Sequence, residues 1–509
     1  MPAPRFIVIG AGARGRAYAE AMHSTSGIVA AVAEPVPYKR RRFGATHVWR
    51  TSDAPSEGQS FTHWDEFVTY ETRRRERAAA GEAVPPGVDG AFICVQDEDH
   101  RDVVVALTPL NLHIMCEKPL ATSLSDCIDL YRAVRPQPGR DARIFSIGHV
   151  LRYTPHNMLL RKLLVEDRVV GDVFSVEHTA PVGWWHFTHS YVRGNWRNGN
   201  ISAPSLLAKC CHDVDLLLWL LCSPAKTGAG TAHLPSTLTS SGALQLFRKA
   251  RKPKAAGDAT NCLKCPLGDS GCIFSAKNVY IKRGLESMNT GWPVNIVVPE
   301  IEDYPNMAEA KAAVLKALAD DYDASTPAEE VSARKWFGRC VFEADNNVCD
   351  DQWVTMTWDD EDPSSSSADD GQPPRFAKSA TLHMTATTRK VDQRYTSIYG
   401  TDGELHADSQ TITTHNFATG ESTTHVPPKA VSGHGGGDQG LTSQFVAAVD
   451  AVLNRDMPVE EAQAEFVGCT LDEVLRSHAA GFAAEEARKE RKVLDWEKWW
   501  AGNVEALLV

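Results

Sequence analysis

Apolar positions follow two rhythms along this chain of 509 residues. Near the N-terminus, short unbroken apolar runs alternate with amphipathic stretches. The runs at 5–9, 28–33, 90–95, 112–116 and 144–150 read as strands buried on both faces. Helical stretches lie between them, at 13–22, 38–43, 99–107 and from a cap at Ser123 or Ser125 to about 134. Strands alternating with helices predict a parallel sheet covered on both sides. Farther on, 376–387 and 395–399 alternate apolar with polar, as strands with one covered face do. The apolar stretch Val214–Cys222, broken by Asp215, reads as a buried helix, 441–453 as a helix, and 462–490 as charged and largely helical. The charged run 71–80 (ETRRRERAAA) predicts a solvated helix face.

Composition narrows the classes. A chain 43% hydrophobic and 23% charged is an ordinary globular mix with enough apolar surface to bury a core. At roughly 100–200 residues per domain, it holds two or three domains. A formal net charge of −12 argues against nonspecific nucleic-acid binding, which needs clustered positive charge. No run approaches the roughly 20 apolar residues of a membrane helix, and MPAPRFIVIG lacks a signal-peptide layout. Twelve cysteines in so long a chain do not make a disulfide framework, so a reduced, cytoplasmic protein is expected, with neither membrane nor nucleic acid as partner. The stretch 359–374, with serines at 364–367 and prolines at 373–374, reads as a surface loop. Trp496, Trp499 and Trp500 read as a tail docked on the body or on a partner.

The first chemistry-bearing motif is Gly10-Ala11-Gly12-Ala13-Arg14-Gly15, between the first strand and the first helix. Gly10 permits a tight turn, Gly12 lets a pyrophosphate approach the backbone, and Gly15 lets helix and strand pack closely. The helix N-terminus offers free N–H groups to phosphates. Glu34, at the end of the second strand, is placed to accept hydrogen bonds from an adenosine ribose and to repel a 2′-phosphate. NAD is therefore favoured over NADP. Arg40, Arg41 and Arg42 are the counter-signal, since arginines there can hold a phosphate; otherwise they form a solvated helix face.

Glu117-Lys118-Pro119 closes the 112–116 strand. With the glycine loop, Glu34, the helical segment Lys209-Cys210-Cys211-His212-Asp213-Val214-Asp215, and Gly400-Thr401-Asp402-Gly403-Glu404, it makes the chain resemble the Gfo/Idh/MocA oxidoreductases (glucose–fructose oxidoreductase, inositol dehydrogenase and relatives). A narrower subgroup likeness lies in GHVLRYTP (148–155) and VRGNWR (192–197). The resemblance implies an α/β protein: a Rossmann NAD-binding domain over 1–147, then an α/β domain over 148–509 with a large, mostly antiparallel sheet open on one face. A cysteine-containing insertion would occupy about 225–335. The resemblance further implies hydride transfer between nicotinamide and a hydroxyl of a sugar, polyol or sugar derivative, and a homodimer or homotetramer. It puts Glu117 and Lys118 at the cofactor, with Lys118 and His212 near the reacting hydroxyl.

Oxidising an alcohol requires a group that takes the hydroxyl proton. Histidine titrates in range, and Lys118 serves where burial and a neighbouring cation such as Lys209 favour its neutral form. Lys209, His212 and Asp215 stand at i, i+3 and i+6, so one helix face is expected to present them, with Asp215 orienting His212 and facing substrate. Relatives carry an aspartate four residues before the histidine; this chain has Ala208 there. Trp185, His186, Arg193 and Trp196, with Tyr153 at the entry to the second domain, combine flat rings and polar groups as carbohydrate recognition does. A packed loop with satisfied polar groups is the competing reading. The glycine-rich 432–438 segment either closes over substrate or is a helix-entry turn capped by Asp438.

Cys262-x2-Cys265-x6-Cys272 suggests structural zinc, because thiolates are soft ligands and zinc takes four. A distant Cys or His would be the fourth ligand; unligated thiols and a redox role or cluster are the alternatives. Two functional alternatives stand beside a dehydrogenase. One is a glycosidase- or epimerase-like enzyme that recycles a bound NAD, and the other is an NAD-binding regulatory protein.

Overall fold

The apolar runs near the N-terminus form a six-stranded sheet in which every pairing is parallel. Its strands are β1 (Arg5–Ile9), β2 (Ile28–Ala33), β3 (Ser60–Phe61), β4 (Gly90–Ile93), β5 (His113–Cys116) and β6 (Phe145–Ile147), in the order β3-β2-β1-β4-β5-β6. This is the doubly wound dinucleotide-binding order. Phe6, Ile7, Val8 and Ile9 are wholly buried, as a central strand covered by helices on both sides must be. β3 escaped the sequence pattern because two residues show no periodicity. The computed structural model describes residues 2–50, 54–137, 141–224, 231–361, 375–428 and 433–508. Residues 362–374, most of the expected surface loop, and Ser432 lie outside these.

The second sheet has nine strands: β7 (Val173–Pro181), β8 (Thr237–Ala243), β9 (Asp351–Trp358), β10 (Lys378–Thr385), β11 (Tyr395–Gly400), β12 (Gly403–Ala407), β13 (Ile412–Asn416), β14 (Ser422–His425) and β15 (Leu494–Asp495). Their order is β14-β13-β12-β11-β7-β10-β9-β8-β15, and only β7 and β10 run parallel. Helices Ser205–Leu221 and Leu471–Glu490 pack together over one face. On the other face Trp353 remains exposed and stacks on His383 at 3.7 Å between ring centroids.

Three boundaries differ from expectation. β8 belongs to the large sheet although it falls inside the 225–335 stretch, so the insertion runs between β8 and β9. It has its own small core around Val279, Tyr280, Val294 and Val314. Helix Gly437–Asn454 returns to the first domain and packs on helix Ala13–Met22. There Phe445 meets the edge of Phe92 at 5.2 Å and Phe6 at 5.8 Å. A cut at 147 therefore does not separate the two halves. Finally, helix Trp64–Ala79 buries Glu71, which is held by Arg74 and Arg75 at 2.7–2.8 Å, while the rest of its charged run stays solvated. The tryptophan tail docks on the chain's own body: β15 pairs with β8, and Trp499 donates to Glu486 at 2.8 Å.

Several buried histidines are built in as neutral rings. His113 accepts the Ile144 N–H through Nδ1 at 3.1 Å. His478 accepts the Leu120 N–H through Nε2 at 2.8 Å, and its Nδ1 lies 2.8 Å from the Val474 carbonyl. Burial lowers His113, His189 and His478 each to about 3. The unfolded chain binds these protons near pH 6.5 and the folded chain does not. Stability is therefore complete above that value and falls as pH drops towards the folded values. Urea unfolding at pH 7.5, 6 and 5 should show a plateau followed by a loss of up to about 1.4 kcal/mol per pH unit for each such histidine.

Candidate active site

The glycine loop leaves β1 through Gly10, whose φ of +97° suits only glycine. Its N–H donates to Ala33 at 2.8 Å, and a Cβ there would stand 2.4 Å from the Cys94 carbonyl oxygen. A Cβ on Gly15 would meet Gly10 O at 2.1 Å, so helix and loop touch directly. A Cβ on Gly12 would meet nothing within 4 Å. Gly12 therefore faces open space, as a residue over which a pyrophosphate lies must. The first turn of helix Ala13–Met22 leaves the N–H groups of Ala13, Arg14 and Gly15 without intrahelical acceptors. Glu34 is buried at the tip of β2. Its two oxygens accept the N–H groups of Ala11 (2.8 Å) and Val36 (2.9 Å), which fixes the carboxylate beside the loop. Arg40 donates to the Glu34 carbonyl, and Arg42 pairs with Glu302 and Asp303, so neither waits free for a 2′-phosphate.

Arg14 corrects one expectation. Its guanidinium does not face the phosphate space but binds Glu117 at 2.6 Å, Asp438 at 2.7 Å and Tyr18 at 2.7 Å. Glu117 also accepts from Tyr18 and from the Lys118 N–H. Burial alone would raise the Glu117 carboxyl, but Arg14 and Lys118 outweigh it and hold it below the usual range. Asp438 is therefore an ion-pair partner rather than a helix cap. The adjoining His434 Nδ1 lies 3.0 Å from its carboxylate.

Lys118 projects from the end of β5 to the second domain, where Nζ donates to the Ala208 carbonyl at 2.7 Å. It also stands over the Trp196 ring at 5.7 Å. Trp196 donates to the buried Asp97 at 2.7 Å. Helix Ser205–Leu221 begins here. His212 is buried, and its Nδ1 has no hydrogen-bond partner. Burial first, then Lys118 and His149, push its pKa well below 6.5, so the ring is neutral. Lys209 forms an ion pair with Asp392, a residue that sequence reasoning missed. A carboxylate thus stands beside the helix despite Ala208, supplied from the sheet side. Lys209 accordingly does not meet Lys118 as a bare cation.

Asp215 does not orient His212. Successive i, i+3 positions drift about 60° around a helix, so Lys209 and Asp215 point about 120° apart. Asp215 binds Arg152 through both oxygens, at 2.8 and 2.9 Å, and lies 3.0 Å from His149 Nδ1. Nor does Arg193 reach the cleft: it is 1% exposed and donates to the carbonyls of Arg339 (2.7 Å) and Phe274 (2.8 Å). The Tyr153 hydroxyl is spent on Val467 O at 2.7 Å. Trp185 and His186 do sit near the catalytic candidates. Trp185 Nε1 and His186 Nδ1 are buried without partners, and burial followed by Lys209 lowers His186. Trp292 from the insertion packs on both rings, at 5.0 and 4.9 Å. His149, Cys211 and His478 cluster behind His212, but both His478 nitrogens are already hydrogen-bonded, which leaves no lone pair for a metal.

Residues 4–140 match the oxidoreductase family with an NAD-binding Rossmann fold, GFO_IDH_MocA. The N-terminal domain is thus similar to the Gfo/Idh/MocA family. Within it, the 2,7-anhydro-N-acetylneuraminate hydratase of Escherichia coli (strain K12) is 27% identical over 151 residues, which are 29% of this chain and 38% of the relative. Inositol 2-dehydrogenase of Salmonella paratyphi B is 26% identical over 140 residues, 28% of this chain and 37% of that one. These matches thus span little more than a third of each relative. Beyond the family's Rossmann domain the likeness is one of fold. The structure of levoglucosan dehydrogenase with NADH aligns over 97% of this chain and 98% of that one, with a TM-score of 0.57 and 14% identity. An oxidoreductase domain protein from Kribbella flavida covers 97% and 99%, with a TM-score of 0.58 and 15% identity. The fold is thus the two-sheet architecture seen in these oxidoreductases, and its Rossmann half carries the glycine loop.

The Asp215–Arg152 pair supplies a stability test. Asp215→Ala leaves a guanidinium that is 3% exposed without its bidentate partner. The variant should lose about 3–5 kcal/mol of unfolding free energy in denaturant titration. A residue that served only to touch substrate would change KM and leave that titration where it was.

Proposed function

We propose that the protein is an NAD-dependent oxidoreductase acting on a hydroxyl of a sugar, polyol or sugar derivative. The observation that carries this reading is the meeting of Lys118 Nζ with helix Ser205–Leu221, beside the unpartnered Nδ1 of His212 and next to the glycine loop. NAD fits the residues present. Gly12 leaves the space, the first helical turn offers N–H groups, and Glu34 stands where a ribose diol would be held. When bound, the nicotinamide accepts a hydride. His212, kept neutral by burial, takes the hydroxyl proton, and the Lys118 ammonium hydrogen-bonds the same oxygen and stabilises charge developing on it. Trp185, His186 and Trp196 supply the flat rings and unspent donors that carbohydrate recognition uses. The exposed sheet face bearing Trp353 and His383 supports assembly into a homodimer or homotetramer. Twelve free cysteines suit a reducing cytoplasm.

A second reading is favoured by one comparison: the Escherichia coli relative is named a hydratase, a redox-neutral activity. On this reading the cofactor stays bound and is reduced and re-oxidised within each cycle.

Absorbance at 340 nm, with excess NAD and a panel of sugars, polyols, uronates and aryl glycosides, separates the two. NADH accumulating over many turnovers supports the dehydrogenase. Product formed with no more than one NADH per chain supports the recycled cofactor, and NAD binding with no turnover on any substrate favours a regulatory protein. With a substrate in hand, His212→Ala and Lys118→Met should each lower kcat about 10²–10⁴-fold. NAD affinity, read by fluorescence titration, should hold in His212→Ala.

A further inference from the structure

The insertion between β8 and β9 brings four cysteines to one cavity. Cys262, Cys265 and Cys272 come from the motif, and the fourth is Cys340, far along the chain. Paired backbone hydrogen bonds bring the distant partner in: Cys262 N–H donates to Gly338 O at 2.8 Å, and Cys340 N–H to Thr260 O at 2.7 Å. The rest of the lining is mostly apolar, including Ala256, Leu267, Phe274, Val341 and Phe342. Donors point at the sulfurs. The backbone N–H of Phe274 bonds Cys272, that of Phe342 bonds Cys340, and the buried Arg193 guanidinium lies 3.5 Å from Cys262 Sγ. Two N–H groups placed two residues after their cysteines, with a buried cation at a third, give the sulfurs polar partners in a pocket whose burial raises the Cys272 and Cys340 thiols.

Spacing decides what the thiolates hold. A single zinc with sulfur ligands at about 2.3 Å draws them to about 3.8 Å from one another. Among the described residues, the one trio of metal-ligating atoms lying within 4.8 Å of each other is His149, Cys211 and His478. No three of the four cavity sulfurs are that close. A cluster sets iron and sulfide between its cysteines, so it needs a wider ring of sulfurs and a dry shell. We propose that Cys262, Cys265, Cys272 and Cys340 ligate an iron–sulfur cluster in this insertion.

Its place in the fold gives it a structural task. Arg193 joins the centre to the 184–193 segment that lines the cleft, and the insertion's Trp292 packs on Trp185, His186 and His189. The cluster ties the two ends of the insertion together behind that wall.

The test is iron and acid-labile sulfide analysis of the full chain purified without oxygen, with electron paramagnetic resonance after dithionite. The expected result is about four iron and four sulfide per chain and a reduced-cluster signal. Cys340→Ser should lose more than half of the iron, while Cys222→Ala, outside the cavity, should keep it. One zinc per chain without sulfide, or no metal even after anaerobic reconstitution with iron and sulfide, would overturn the cluster. Full iron in Cys340→Ser would overturn the assignment of the fourth ligand. Should Cys340→Ser fail to fold, the metal content of the unaltered chain still decides.

Discussion

A buried charge must be paired, and that requirement organises the second half of this molecule. Helix Ser205–Leu221 is almost wholly enclosed, yet it carries Lys209, His212, Asp213 and Asp215. Asp213 is met by Arg394 and by His178 of β7, Asp215 by Arg152 and His149, and Lys209 by Asp392. These partners come from the large sheet, from the segment that follows β6, and from the connection that leads into β11. Rotating the helix would strand several charges at once in a low-dielectric interior, at several kcal/mol each. The helix is therefore fixed about its axis, and in that setting His212 is left with a nitrogen that no protein group claims.

How much of this was legible in the sequence depended on how local each signal was. The glycine loop, Glu34 and the Glu117–Lys118 turn could be read because each occupies a few residues next to a strand whose pattern was clear. The parallel sheet followed from the same pattern. Tyr153, Arg193 and Asp215 were expected at ligand surfaces because their types suit that chemistry. Their side chains instead satisfy buried partners on elements distant in sequence, which no local pattern announces. Asp392 and Cys340 were missed for the converse reason: each reaches its partner from a connecting segment whose course only the folded chain defines.

Helical spacing set a subtler limit. Residues three apart share a neighbourhood but not a direction, and the drift over two such steps separates the lysine from the second aspartate of the site helix. The same backbone can thus hand one side chain to the cleft and the next to the interior. The expected triad divides accordingly, with His212 towards the cofactor half and Asp215 towards the arginine beneath it.

The pairing of Arg14 with Asp438 spans 424 residues. A ribosome-bound chain that has already extruded all six strands of the first sheet still lacks the carboxylate that holds this arginine, and lacks Phe445 in the core beneath it. Closing so long a loop carries an entropic cost that is met only when the last helices dock. The first domain is begun at one end of the chain and its core is finished near the other, so a growing polypeptide passes most of its synthesis without that domain's full packing.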